Sequence, residues 1–317
     1  MTRAEIVVVG GINFDYVVRG ARLPGPGETV AGDSFYEGPG GKGANQAVGI
    51  ARLGGRAALV SRLGNDARGD ALLESLADSG VDVRHVSRDS VLGTGVALIA
   101  VDAEGEKQIV TAPGANHALS EPDIDAARDT IAFAQVLVAG LEAPVGAVEA
   151  SLRLAKAAGA RTILDPAPPL PLSEELLRLV DVIRPNAAEA EALTNVRVTD
   201  ARSAAQCGRV LLARGVGAAI LSAGPAGNLV VSREEQHLLP HHEVDSVDAT
   251  GAGDAFVAGM AFAFAEGRSL VDAAAYGGAA AAFSTTRIGA RAGLPRREEL
   301  SALLAERLAP VSSVPAR

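Results

Sequence analysis

Short apolar runs recur along the chain at 6–9, 57–60, 136–139, 162–164, 182–183 and 218–221, with segments of helical period between them. A parallel sheet joined by crossover helices produces that alternation, and strands apolar throughout are strands covered on both faces. The pattern predicts an α/β protein of three layers. Two segments break it. Between Tyr16 and Tyr36, extended-looking pieces flank Pro24, Gly25, Pro26 and Gly27, and 94–101 with 107–111 read as a hairpin turning at Ala103, Glu104 and Gly105. Strands without crossover helices predict a small β appendage over about 14–37 and 92–112, which could serve as a lid or a dimer clasp or be an inert excursion.

The polar residues after the apolar runs come next, because open parallel sheets bind ligands beyond the carboxyl ends of their strands. Those ends present Asn13 and Asp15, Glu142, Asp165, Asn186 with Glu189, and Ser222 with Gly224. Asp and Asn are also common in turns and helix caps. Several of them on one edge are better explained by a site.

Composition narrows the partners. The 317 residues are 48% hydrophobic, enough for a sizeable core. A formal charge of -9 and a pI near 5.2 leave no broad positive field, so nucleic acid and anionic membranes are excluded and a small anion must be held locally. Cys207 is the single cysteine, read as a buried thiol in a reducing compartment. The alanine-rich stretch 273–283 is broken by Gly277 and Gly278 and is too short to cross a bilayer. The strand-like start at Ile6 leaves no signal peptide in view, so a soluble cytoplasmic protein is expected. Lysine occurs only at 42, 107 and 156, which draws attention to Lys42 inside a glycine-rich run.

The strongest local feature is D-A-T-G-A-G-D at 248–254, followed by an apolar helical run. Glycines before a helix let successive N–H groups converge, and the helix dipole adds positive charge there, so Gly251, Ala252 and Gly253 form a candidate anion hole. An ordinary helix start with an acidic first turn is the competing reading. Against it, a carboxylate beside a phosphate repels its ligand, so Asp254 needs another role, and taking the proton of a hydroxyl that attacks phosphorus supplies one.

A second glycine run, G-P-G-G-K-G-A-N at 38–45, opens another helix. It lacks the spacing of a Walker A loop, since Tyr36 and Gly43 stand where glycine and a hydroxyl residue are required. Gly38, Gly40 and Gly43 do match a dinucleotide fingerprint, with Asp66 as the acidic partner, but that reading leaves D-A-T-G-A-G-D, Asn13 and Asp15 without work. The run fits better as a sugar site. Gly40 and Gly41 allow close approach, and Asn13, Asp15, Asn45 and Glu142 pair hydroxyls that must not be buried unsatisfied. Lys42 either meets a transferred phosphate or faces solvent. Asn186 and Glu189, three apart at a helix start, suit either Mg²⁺ held partly through water or a capping pair. His237, His241 and His242 cluster in what reads as a loop, without the spacing of a metal site.

With these residues assembled, the chain resembles the ribokinase family of carbohydrate kinases, the pfkB type, from Ile6 to about Leu304. The resemblance is carried by G-G-K-G-A-N-Q-A at 40–47, D-A-T-G-A-G-D-A-F at 248–256, G-x-N-x-D at 11–15 and P-N-x-x-E at 185–189. It implies a Rossmann-like α/β domain with a β-sheet lid and transfer of phosphate from ATP to the primary hydroxyl of a pentose, D-ribose first. Other sugar or nucleoside kinases of the family, or a silent sugar-binding relative, are the alternatives. Position by position, it implies sugar contacts from Asn13, Asp15, Gly41, Lys42, Asn45 and Glu142, with Asp254 as base. It implies nucleotide contacts from Asn186, Ser222, Gly224 and Gly227, Mg²⁺ near Glu189, and K⁺ beside Asp248, Thr250 and the carbonyls of Arg287 and Gly289. A homodimer is expected. The chain departs from the family at Phe14, Gly278 and Gly293. Because Gly293 replaces a hydroxyl of the cation site, potassium activation is expected only at raised concentration, and Gly293→Ser is expected to restore it.

Overall fold

The computed structural model describes residues 5–308. Its strands are β1 (Ile6–Val9), β2 (Asn13–Gly20), β3 (Gly32–Gly40), β4 (Ala57–Gly64), β5 (Asp82–Asp89), β6 (Gly95–Val101), β7 (Lys107–Ala112), β8 (Val136–Gly140), β9 (Arg161–Asp165), β10 (Val182–Ile183), β11 (Ala218–Ser222), β12 (Asn228–Ser232) and β13 (Gln236–Leu239). They divide into two sheets. The larger runs β13-β12-β11-β10-β9-β8-β1-β4-β5. It is parallel from β5 to β11, with β12 and β13 added antiparallel at one edge.

Each of the six short apolar runs lies in this sheet. Three strands carry no such signal in the sequence analysis, for separable reasons. Edge strands β5 and β13 contain Arg84, His85, Gln236 and His237, so their period is obscured by polar positions. Strand β12 follows β11 through a single 3-10 turn at Gly224–Ala226 in place of a crossover helix, which the alternation does not lead one to expect. His237 therefore sits on an edge strand beside Glu235, not in a loop.

Alternate residues of β1 show why the sheet is fixed from both sides. Ile6 and Val8 pack with Ala47, Ile50, Phe256 and Met260 of the helices Lys42–Arg52 and Ala252–Ala265. Val7 and Val9 belong to the cluster on the opposite face, which also holds Val148, Leu152 and Leu211 of the helices Val145–Ala157 and Ala201–Ala213. All four strand residues are fully buried. At roughly 1.5–3 kcal/mol for each such side chain, a slip of register would be strongly penalised on both faces. Cys207 lies inside the second of these layers, buried as expected. No helix among the described residues is long and apolar enough to cross a membrane.

The smaller sheet, β3-β2-β6-β7, grows directly from the larger. Strand β2 starts at Asn13, shortly beyond the end of β1, and β3 runs into the helix Lys42–Arg52 through Gly41. Gly41 has φ 88°, and a Cβ there would come within 2.5 Å of the Asn13 nitrogen, so only glycine turns this corner. The residues that open and close the small sheet are thereby delivered to the carboxyl edge of the large one. The outer face of the small sheet carries exposed Val18, Phe35, Leu98 and Val110.

Candidate active site

Strands β1, β8, β9, β10 and β11 are consecutive and parallel, so Asn13, Glu142, Asp165, Asn186 and Ser222 follow one another along a single edge. The two glycine-led helices meet above that edge. They pack so closely that a methyl group on Gly49 would lie 2.7 Å from the Ala258 Cβ. Their first turns hold Asn45 and Asp254, and Asn45 Nδ2 donates to Asp254 Oδ2 at 2.9 Å.

Asp254 is 5% exposed, and its other oxygen, Oδ1, is buried without a hydrogen-bond partner. Burial pushes its carboxyl up, Lys42 opposes this, and Asp165 adds to it. Native structures rarely leave such an atom unpaired, so it marks a place where something else donates. Lys42 Nζ stands 3.6 Å from this oxygen and 3.6 Å from Asp165 Oδ2, which also accepts from Gln46 Nε2 at 2.7 Å. Burial alone would lower the Lys42 ammonium, but Asp165, Asp254, Glu142 and Glu189 together raise it. Lys42 thus stands between Asp165 and Asp254, with its side chain 34% exposed.

The turn before Asp254 departs from the expected anion hole at one position. Gly251 caps the helix at φ 80°. The Ala252 N–H is not available, because it donates to the Ala249 carbonyl at 3.2 Å, whereas those of Gly251 and Gly253 have no acceptor among the described residues. A further cation faces this turn. The Arg184 guanidinium lies 4.6 Å over the Phe256 ring, and its NH1 is the neighbour a Cβ on Gly253 would meet at 3.3 Å. Burial lowers its pKa, and Asp165, Glu189 and Asp254 oppose that. Its side chain makes no hydrogen bond or ion pair among the described residues, and its NH1 stands beside Gly253. Sequence reasoning missed it, since arginine makes up 26 of the 29 basic residues and one more carries no compositional signal.

Next to this anion site lies a dense polar pocket. Glu142 accepts from the Lys42 backbone N–H at 2.7 Å and from Asn13 Nδ2 at 3.3 Å. Asn116, also absent from the sequence reading, fixes Asn13 by donating to its Oδ1 at 2.8 Å while bonding both backbone groups of Ile12. Burial raises Glu142 to about 7, against Lys42, and Asp15 to about 6, against Arg291. Arg291 is a third residue that went unread. Its Nε donates to Asn45 Oδ1 at 3.0 Å and its NH2 to the Gly40 carbonyl at 3.4 Å. A guanidinium only donates, so it forces the Asn45 oxygen outward and the Asn45 NH₂ toward Asp254. Asp254 is thus oriented from a residue 246 positions away from Asn45 in the chain.

Along the edge, Ser222 ends β11, and Gly224 and Gly227 bound the turn to β12. Asn186 and Glu189 form a reciprocal cap: Asn186 N and Nδ2 donate to the two Glu189 oxygens at 2.8 and 2.7 Å. Capping therefore accounts for their geometry, and among the described residues no three acidic, His or Cys groups gather as a metal cage. Such an edge suits an ion carried in by a nucleotide and reached through water, which is how Mg²⁺ is usually held. Asp66, the acidic partner of the dinucleotide reading, is engaged elsewhere, capping Ala67–Asp78 and accepting from Thr94 N at 2.8 Å.

The cation loop departs from expectation. Asp248 is held down to about 2 by hydrogen bonds from Thr250 and Gly289 and by the charge of Lys107, which outweigh its burial. Lys107 Nζ lies 3.2 Å from Asp248 Oδ1 and also contacts Thr250 Oγ1. The Gly289 carbonyl accepts the Gly293 N–H at 3.2 Å. A Cβ on Gly293 would stand 2.2 Å from the Ser284 carbonyl oxygen, so Gly293→Ser would collide with backbone before it could add a ligand. With Lys107 in place these residues do not fit a potassium ion as the resemblance implied: the charge is already met, and Gly293→Ser cannot restore the missing hydroxyl.

Comparison with known proteins places these features in context. The family model described as pfkB family carbohydrate kinase matches residues 3–297. A ribokinase of Haemophilus influenzae is 38% identical over 297 residues, 94% of this chain and 97% of its own. The crystal structure of ribokinase from Thermotoga maritima superposes with a TM-score of 0.84 at 36% identity, covering 95% of this chain and 99% of that one. The structure of Arabidopsis thaliana ribokinase complexed with ribose and ATP gives 0.86 at 30%, covering 96% and 99%.

Proposed function

Because the chain belongs to the pfkB family of carbohydrate kinases, we propose that it moves the γ-phosphoryl group of ATP onto the primary hydroxyl of a pentose, D-ribose ahead of others, to give ribose 5-phosphate. The observation that carries this reading is the buried Asp254 Oδ1, which has no hydrogen-bond partner, beside the glycine-led helix start at Gly251. A hydroxyl donating to that oxygen loses its proton there as it attacks phosphorus. Charge that develops on the moving group meets the Gly251 and Gly253 N–H groups, Lys42 and Arg184, all in place before the reaction begins. Glu142, Asn13, Asp15 and Asn45 hold the remaining hydroxyls, and the small sheet covers them as a lid. Ser222, Gly224, Gly227 and Asn186 line the edge where the nucleotide would lie. A divalent ion bound with the nucleotide would neutralise its phosphates, reached by Glu189 through water.

The same reading includes a cytoplasmic homodimer joined through the outer face of the small sheet. Its support is the apolar set Val18, Phe35, Leu98 and Val110, exposed on a sheet that would otherwise present them to water. Potassium does not enter, since Lys107 answers the Asp248 charge.

ADP release measured over pentoses, 2-deoxypentoses, hexoses and nucleosides tests the substrate. D-ribose is expected to give the highest kcat/KM. A tenfold advantage for another acceptor, about 1.4 kcal/mol, would reject ribose and keep the kinase.

Binding should also depend on pH. In the free protein Glu142 keeps its proton up to about 7 and Asp15 up to about 6. Hydroxyls donate to the ionised forms, so sugar binding releases protons and affinity rises with pH. Calorimetry without ATP is expected to show Kd for ribose falling on the order of tenfold from pH 5.5 to 8. A Kd flat across that range would exclude both carboxylates as acceptors.

A further inference from the structure

Only three lysines occur in this chain. Two lie on helices, Lys42 and Lys156, and the third, Lys107, opens β7 of the small sheet and reaches across to the loop that leads into the anion-binding turn. There it meets Asp248, whose side chain is 5% exposed. Around that carboxylate, Oδ1 takes Lys107 Nζ at 3.2 Å, Thr250 N at 2.9 Å and Thr250 Oγ1 at 2.5 Å. Oδ2 takes Gly289 N at 2.9 Å and stands 3.8 Å from Arg19 NH2 of β2. Both cations come from the small sheet. A cavity of about 380 Å³ runs beneath that sheet from Asp15 and Arg291 at the sugar end to Lys107, Asp248 and Thr250 at the other.

An ammonium group and a potassium ion have the same charge and similar size. A free ion could enter this loop only by displacing an ammonium already paired in a partly buried setting, where the pair is screened less than at the surface. We propose that Lys107 is the built-in cation of the Asp248–Thr250 loop. The tethered ammonium orders the turn at 251–254 in place of a monovalent ion, and because the small sheet carries it, closure over the sugar and formation of the anion hole become one event. Lys107 touches neither sugar nor phosphate and acts by positioning Asp248 and Thr250. The proposal rests on the kinase reading of the site.

The test compares the full-length protein with Lys107→Met and Lys107→Arg, in potassium and in choline, by two readouts. The first is melting temperature without substrates; the second is kcat with ribose and MgATP. Wild type is expected to melt at the same temperature in both salts and to turn over within about twofold in them. Lys107→Met is expected to melt lower in choline and to lose about tenfold or more in kcat, with potassium restoring much of both, as expected when a pre-organised charge is lost and replaced. Lys107→Arg, which keeps a cation, should fall between. The proposal is overturned if wild type is stabilised and activated by potassium as strongly as Lys107→Met, if potassium restores neither quantity, or if Lys107→Met matches wild type in choline. Should no sugar support ADP release, the kinase reading fails, while the melting curves still decide whether Lys107 replaces an ion.

Discussion

Asp254→Asn is expected to lower kcat by roughly 10² to 10⁴, the range for losing a positioned general base, with ribose and ATP binding largely kept. The substitution is nearly isosteric. The new side chain can keep its oxygen toward Asn45 Nδ2, which now bonds Asp254 Oδ2 at 2.9 Å, and this turns its NH₂ toward the position of the unpaired Oδ1. A donor then faces the attacking hydroxyl where an acceptor is needed. Stability separates this from a folding defect. The Asp254 pKa is raised in the folded protein, first by burial, so above the unfolded carboxylate pKa the unfolded state has given up a proton that the folded state tends to keep. Stability then falls as pH rises through that window, and a neutral residue removes the loss. Asp254→Asn should therefore melt no lower than wild type at pH 7.5. Near-normal turnover would remove Asp254 from the mechanism, and a much lower melting temperature would make the loss structural.

Arg184→Met is expected to lower kcat by roughly 10², comparable to removing one pre-organised donor from an oxyanion site, and to leave ribose affinity unchanged. Methionine keeps apolar contact with Phe256, over which the guanidinium now lies at 4.6 Å, so the packing survives while the charge beside Gly253 does not. Because Arg184 has no hydrogen bond or ion pair to lose among the described residues, a structural role predicts little effect on turnover. The split is the test: kcat down with ribose Kd constant supports phosphate contact, and a kcat within about threefold of wild type excludes it.

Much of this arrangement was legible in the sequence because it depends on local rules. Apolar runs such as Ile6–Val9 are strands because both faces are covered, and glycine runs before Lys42 and Asp254 are helix starts because the backbone there needs φ 88° and 80°. What was not legible depends on contacts between distant segments. Arg291 reaches Asn45 across 246 positions, and Arg184 is one arginine among many until Phe256 and Gly253 are placed against it. At Gly293 the sequence showed a missing hydroxyl but could not show the Ser284 carbonyl filling its place. Lys107 was as rare a residue as Lys42, yet it lay in an exposed strand, and nothing local tied β7 to Asp248.

The most direct test of the account is the identity of the product. The protein incubated with D-ribose and MgATP, followed by phosphorus and proton NMR, is expected to give ADP and one sugar phosphate whose phosphorus couples to the two protons on C5. A phosphate on C1, or ADP formed equally without sugar, would contradict transfer to a primary hydroxyl held against Asp254.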